Sequence, residues 1–237
     1  YRYSIYTLRL MTQVTTLTLF SFKTNKFWAF QQMGVAPLRL KNIEGLKFYK
    51  FLGTGGGQGF SLRPDFSTYV FLGVWEDLSF YQNCLQKHPI FKTYQEKATS
   101  QRDLILNAVK SHGKWSGQNP FKTKPGLEAK GNHKAVVITR ATLHWNRLFS
   151  FWKAVPAASK AIETAQGVQY YKGIGEWPFI QQATISIWDD FEAVNTFAYK
   201  DRAHADIVKK TKQMNWYKED LFSRFHLISD TTKSLDS

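Results

Sequence analysis

With a single cysteine, Cys84, in 237 residues, the chain has no partner for an intrachain disulfide, and Cys-rich zinc and iron–sulfur sites are excluded. A reducing cytoplasm is the simpler compartment to expect. Acidic residues are scarce as well: 18 Asp and Glu stand against 32 Lys and Arg, a formal net charge of +14. No uncharged apolar run reaches the ~18 residues that a bilayer-crossing helix needs. Tyr1–Leu10 has no long apolar core and no small-residue cleavage site, so it is expected not to be a signal peptide. Met11 is the expected natural start. Neither a nucleophile elbow with a Ser-His-Asp set nor a His-x-x-x-His pair occurs. The charge comes without a nucleic-acid-binding motif, so no nucleic-acid partner is expected. An anionic membrane face, a carboxylated ligand or a plain solvated surface each fits a basic chain.

What the chain does have is rings and repetition. Aromatic residues make up 16% and hydrophobic residues 43%, a composition that folds. The second half repeats the first. Phe27 meets Phe149, Gly45-Leu-Lys-Phe-Tyr-Lys50 meets Gly167-Val-Gln-Tyr-Tyr-Lys172, and Gly53 meets Gly175. After a shortened loop, Val74-Trp-Glu-Asp77 meets Ile187-Trp-Asp-Asp190. Such self-similarity signals tandem structural units.

Each copy reads as strand, helix, strand, strand, helix. In the first copy the strands are 14–22, 47–52 and 68–75, with a helix over 26–42 and another from Asp77, a natural N-cap. The second repeats this over 135–143, 147–164, 169–174, 183–188 and a helix over 190–211. That order is most of a βαββαβ unit. The expected fold class is α+β, with two tandem ferredoxin-like modules forming a pseudo-dimeric α/β barrel. The expected boundaries are 11–112 for the first module, 113–132 for a Gly-, Pro- and Lys-rich linker, and 133–229 for the second. The tail 230–237 reads as polar and mobile. The turn Gly53-Thr-Gly-Gly-Gly-Gln-Gly59 lacks the Gly-Lys-Ser/Thr ending of a nucleotide loop and reads as a flap or a close backbone approach.

Comparison of the copies singles out two residues. His204 shares an apolar helical stripe with Phe197 and Val208, between the small Ala203 and Ala205, and its counterpart is Phe91. A histidine there is either a hydrogen-bonded core residue or a metal ligand. Arg140 shares a strand face with Val136 and Ile138, and Thr18 is read as its counterpart. Its guanidinium needs an anion: a local carboxylate such as Glu176 or Asp189, a cofactor carboxylate, or a bound oxygen species. His112 and His133 read as solvated residues beside the linker, and His88 before Pro89 marks a helix irregularity. Cys84 reads as buried packing.

Several stretches taken together resemble the spheroidene monooxygenase family: Phe27-Trp-Ala-Phe-Gln-Gln-Met-Gly34, Phe48 to Phe60, Ile138-Thr-Arg-Ala-Thr142, Gly173-Ile-Gly-Glu176, Ser186-Ile-Trp-Asp189, His204 and Trp216 to Phe225. The two-module plan also looks like the dimeric α/β-barrel haem proteins, such as chlorite dismutases. The resemblance implies a haem b monooxygenase that uses O2 or peroxide to convert an acyclic carotenoid to a keto derivative by successive hydroxylation. It places the iron ligand at His204, with Arg140 as the distal catalytic candidate and Trp188 beside the cofactor. Gln58 stands where the family has an acidic residue, against an acid/base role for that loop. Trp28, Phe30, Met33, Phe48, Phe51, Trp152 and Trp188 are read as tunnel-lining or plain core. The implied partners are an apolar small molecule, an unidentified electron donor, the inner membrane surface as a peripheral contact, and further copies of the chain. A haem-dependent dehydratase or peroxidase, or a non-enzymatic haem protein, stays open beside this reading.

Overall fold

The computed structural model describes residues 13–57, 63–123, 133–177, 179–200 and 213–236. The order is β1 (Val14–Ser21), α1 (Lys26–Arg39), β2 (Leu46–Gly55), β3 (Pro64–Trp75), α2 (Leu78–Lys87), α3 (Pro89–Lys97) and β4 (Ser100–Gly113). The second module runs β5 (Ala135–Leu143), a 3-10 turn at Trp145–Arg147, α4 (Leu148–Glu163), β6 (Val168–Trp177), β7 (Gln181–Trp188), α5 (Phe191–Lys200) and β8 (Tyr217–Ser234). The strands close into one antiparallel barrel in the order β1-β3-β2-β6-β7-β5-β8-β4. The α+β two-module barrel expected from the repeat is the architecture found.

Alternation on the strands assigns the two faces. On β1, Leu17 and Leu19 point into the barrel, where Leu72, Leu104, Ile138, Ile185 and Phe225 fill the interior. Thr16 and Thr18 point outward under the helices, where Trp75 Nε1 donates to Thr16 at 3.0 Å and Tyr81 meets Thr18 at 2.8 Å. The Thr16 and Thr18 hydroxyls and the Trp75 indole thereby find partners. Asp77 caps α2 by accepting from the Ser79 N–H at 2.8 Å. His88 sits in extended backbone between α2 and α3, with Pro89 at the first helical position, so the irregularity is a complete break.

The modules join at two unequal seams. At the short one Gly53 pairs with Gly175 and Thr54 with Ile174. At the long one β4 and β8 pair from Ser100↔Ser234 to Gly113↔Leu221. Two sequence expectations need correction here, and a third gains detail. Residues 230–234 are strand, not a mobile tail, because they complete this ladder and Asp230 accepts from Arg102 at 2.7 and 2.8 Å. The described part of the expected linker, 113–123, is mostly exposed but is pinned to the barrel by two rings, Trp115 and Phe121, buried in its interior. Polar spacing residues around two buried rings gave the segment the composition of a linker. Finally, Val14↔Trp75 and Ala135↔Trp188 are equivalent pairs, so the residue matching Arg140 is Leu19, not Thr18. The first strands sit one residue out of step with the rest of the repeat.

Trp115 packs edge-on against Phe48 at 5.8 Å and donates to Glu176 at 2.6 Å. Trp115→Ala is expected to lower unfolding free energy by about 3–5 kcal/mol, read as a reduced midpoint in guanidinium denaturation; a change near zero would mean the segment is not core.

Candidate functional site

The outer faces of the two half-barrels match in register and differ in bulk. In the first module the helix-facing side carries Phe20, Phe51 and Phe71, all buried in one continuous cluster with Tyr94 and Phe91. Phe51 opposes Phe71 across β2–β3, and the corresponding pair across β6–β7 is Gly173 opposite Thr184. Phe20 opposes Tyr69, and the corresponding pair is Ala141 opposite Gln182. Three rings of the first module are therefore Ala141, Gly173 and Thr184 in the second. Thr139 and Thr184 bond to each other at 2.6 Å across this floor.

The packing above it follows suit. In the first module α1 buries Ala29 and Ala36 in the same cluster as the sheet rings. Among the described residues the apolar layer of the second is split. One part gathers Ala135, Val137, Trp188 and Val194 under α5, and the other gathers Leu143, Phe151, Val155 and Trp216 under α4. Neither contains Ala141, Gly173 or Thr184. The strip between them is floored by small side chains, which accommodates a flat apolar group where the first module has its own rings.

On this same outer face Asp220 stands opposite Ala141 and is exposed, whereas a second charged side chain, Arg224, is buried. Arg224 stands opposite Val137 on β8, where the first module pairs Ile105 with Thr16. The guanidinium is 8% exposed, donates to Asn195 at 2.8 Å, and lies 5.5 Å from the Phe222 ring centroid. Its Nε has no hydrogen-bond partner among the described residues. A buried guanidinium with an unused donor favours an anionic ligand. Small floor residues and a donor short of an acceptor fit a flat, largely apolar group that carries carboxylates.

Trp188 belongs to this face. It is 2% exposed, packs on Phe197 at 5.1 Å and donates to Ser186 at 2.8 Å. His204 lies outside the described residues; its counterpart Phe91 stacks edge-on against Phe71 at 4.9 Å, the ring that is Thr184 in the second module.

Arg140 is on the other face. It points into the barrel mouth, 4% exposed, paired with Glu219 and lying 3.7 Å from Glu176. Lys50 meets Glu176 at 2.5 Å. Of the two carboxylates expected for Arg140, Glu176 is a neighbour, while Asp189 instead accepts from Gln169. Burial works against the charged form of Glu219, but the N–H groups of Gly117 and Ser116 and the Arg140 guanidinium hold its pKa below the ordinary 4.5. Arg140 and Trp188 are thus separated by the sheet itself.

Other sequence candidates scatter. Phe48 is interior, Phe51 is under the first helix layer and Phe30 is exposed, so the aromatic set lines no single tunnel. His112 is exposed and stacks on Phe222 at 5.4 Å, while His133 lies 4.9 Å from the buried His226. Cys84 is buried, and its thiol is pushed up to about 11 by burial. Residues 58–62 lie outside the described residues, so Gln58 has no structural account; Gly57 offers its carbonyl to Lys172 of the other module at 3.0 Å. Arg224 was missed in the sequence because its contrast with Ile105 needs the β4–β8 alignment, which the repeat does not show.

A spheroidene monooxygenase of Cereibacter sphaeroides is 31% identical over 225 residues, spanning 93% of this chain and 68% of that protein. One from Rhodobacter capsulatus is 30% identical over 217 residues, 91% of this chain and 90% of that protein. The chain belongs to the spheroidene monooxygenase family. A third member, from Rubrivivax gelatinosus, is 26% identical over 204 residues, covering 86% and 77% of the two chains. No family model matches. Among solved structures, an aldoxime dehydratase superposes with TM-score 0.64 at 12% identity, covering 98% of this chain and 86% of that one. A second aldoxime dehydratase, in complex with butyraldoxime, gives 0.60 at 11%, covering 93% and 82%. At that identity the likeness concerns the fold alone.

Glu219→Gln is expected to destabilise the protein above pH 4.5, the ordinary carboxyl value. Because the folded-state pKa is lowered, the wild-type advantage is lost as pH falls through that lower value. Denaturation midpoints of both proteins across acidic pH check the sign. Cys84 is expected to resist iodoacetamide at pH 8 in the native state and to react fully in denaturant, as counted by mass spectrometry.

Proposed function

We propose that the chain is a haem-dependent monooxygenase acting on an acyclic carotenoid, converting a methylene of the polyene end to a keto group. The observation that carries this reading is the replacement of Phe20, Phe51 and Phe71 by Ala141, Gly173 and Thr184 on matched positions of one sheet face. Kinship with three spheroidene monooxygenases supports the substrate class.

In this reading His204 would hold the iron, and the buried Arg224 would pair with a carboxylate of the cofactor. The chemistry haem would supply when bound is activation of O2 or peroxide. The chain's own side chains do the rest. Ala141, Gly173 and Thr184 leave the floor low, and Trp188 with Phe197 closes one end against water. Leu143, Phe151 and Trp216 close the other. Such walls hold an apolar molecule and exclude water from the reacting carbon. Arg140, locked to Glu219 inside the barrel mouth, serves here as a positioning residue for the sheet, in place of the distal role the family resemblance implied. A second reading, aldoxime dehydration, is favoured by fold likeness alone.

Purified protein is expected to show a Soret band that His204→Ala abolishes. Cells that accumulate acyclic carotenoids are expected to gain ketocarotenoids when they express the chain. Unchanged pigments from haem-loaded protein would reject the carotenoid reading, and turnover of an aldoxime would establish the second. Ala141→Phe with Thr184→Phe restores two of the first module's three rings. It is expected to keep the circular dichroism spectrum and lose about tenfold or more in haem content, since a filled cavity admits no ligand. Full haem content in that variant would relocate the cofactor.

A further inference from the structure

Every exposed large apolar side chain among the described residues lies on α1, the 3-10 turn before α4, the start of α4, or the ends of the β2–β3 and β6–β7 hairpins. None lies on α2, α3, α5, β4 or β8. The densest group is on α1. Its inner face buries Ala29, Gln32 and Ala36. Its outer face leaves Phe27 at 74%, Phe30 at 51%, Val35 at 37% and Leu38 at 68% exposure. Phe66, 48% exposed, adds to it from β3, with its ring 5.6 Å from that of Phe30. Successive spacings of three to five residues put the four helix positions along one side. A soluble helix normally turns polar residues to water there.

Charge selects the occupant. The α1 sequence, Lys26-Phe-Trp-Ala-Phe-Gln-Gln-Met-Gly-Val-Ala-Pro-Leu-Arg39, contains no carboxylate and has a basic residue at each end, both exposed. Asp65, next to Phe66, is paired with Lys172 at 3.2 Å. A twofold contact between two copies would set this face against itself. Antiparallel helices would then bring Lys26 of one against Arg39 of the other with no acid from either helix between them. An anionic bilayer offers apolar depth for the rings and phosphates for the two cations, and the chain's net charge of +14 favours approach.

We infer that the outer face of α1, with Phe66, is a membrane-docking surface: the helix lies in the plane of an anionic lipid bilayer, inserts Phe27, Phe30 and Leu38, and sets Lys26 and Arg39 among the headgroups. Amphipathic helices bind lipid interfaces through this combination of buried apolar area and basic flanks. The inference needs neither the cofactor nor the substrate assigned above. No helix of the described residues is long and apolar enough to cross the membrane, so attachment here is lateral.

The test is co-sedimentation of the full chain with phosphatidylcholine vesicles, with and without an anionic fraction of phosphatidylglycerol. Wild type is expected to bind the anionic vesicles, and Phe27→Gln with Leu38→Gln to weaken partitioning about tenfold or more. Lys26→Glu with Arg39→Glu is compared with Lys87→Glu and Lys92→Glu, an equal charge change on exposed positions of α2 and α3. The α1 pair is expected to lose more. Thermal melting monitors folding, and Phe30→Gln with Val35→Thr replaces the first variant if that one fails to fold. Unchanged binding in the apolar variants overturns the proposal. So does equal loss in both charge variants, which would mean general attraction. A wild-type dimer that Phe27→Gln and Leu38→Gln dissociate, without vesicle binding, would reassign the face to a second copy.

Discussion

Closing eight antiparallel strands on a filled interior imposes the constraint from which the rest follows. With Leu17, Leu72, Leu104, Ile138, Ile185 and Phe225 packed inside, the barrel holds side chains at ordinary core density and has no lumen for a large molecule. Its mouths are occupied as well. Lys50, Glu176, Arg140 and Glu219 lie at one end, while Lys172 with Asp65 and Arg102 with Asp230 lie at the other. In the proposed reading, a ligand the size of a macrocycle or a polyene lies on an outer face, between sheet and helices.

Those outer faces are where duplication left a difference. Two copies of one module begin with equivalent layers, and one of them has kept a dense aromatic layer. The ring contacts among Phe20, Phe22, Phe51, Phe71, Tyr94 and Trp28 fall between 4.9 and 6.2 Å, and such pairs add stability beyond the area they bury. The second copy has given up these rings and acquired a buried guanidinium at Arg224. Apolar packing alone would not favour that exchange, because lost rings cost stability and a buried charge costs more.

The fold was legible in the sequence wherever the pattern was local. The alternation of Val14 to Phe20, the Asp77 cap and the Pro89 break each depend on neighbours a few residues away, and each is found where expected. The repeat gave the two-module plan for the same reason, since homologous segments carry their local preferences with them. β4 and β8 were missed because Ser100–Gly113 and Tyr217–Ser234 are rich in polar residues. Their partner is the other module's strand, and a pairing between residues more than a hundred apart leaves no short-range periodicity.

Sequence alone determined the family, the duplicated α+β plan and the two residues by which the copies most visibly differ, because these reside in residue identity and in spacing along the chain. Tertiary structure alone decided which side of the sheet each residue serves. Arg140 and Trp188 are close in kind and read as one site in the sequence, yet the barrel wall separates them. Arg224 looked unexceptional until strand register set it beside the positions that had lost their rings. Facing is a property of closure: one residue of register moves a side chain from the interior to the helix layer, and only long-range pairing sets that register.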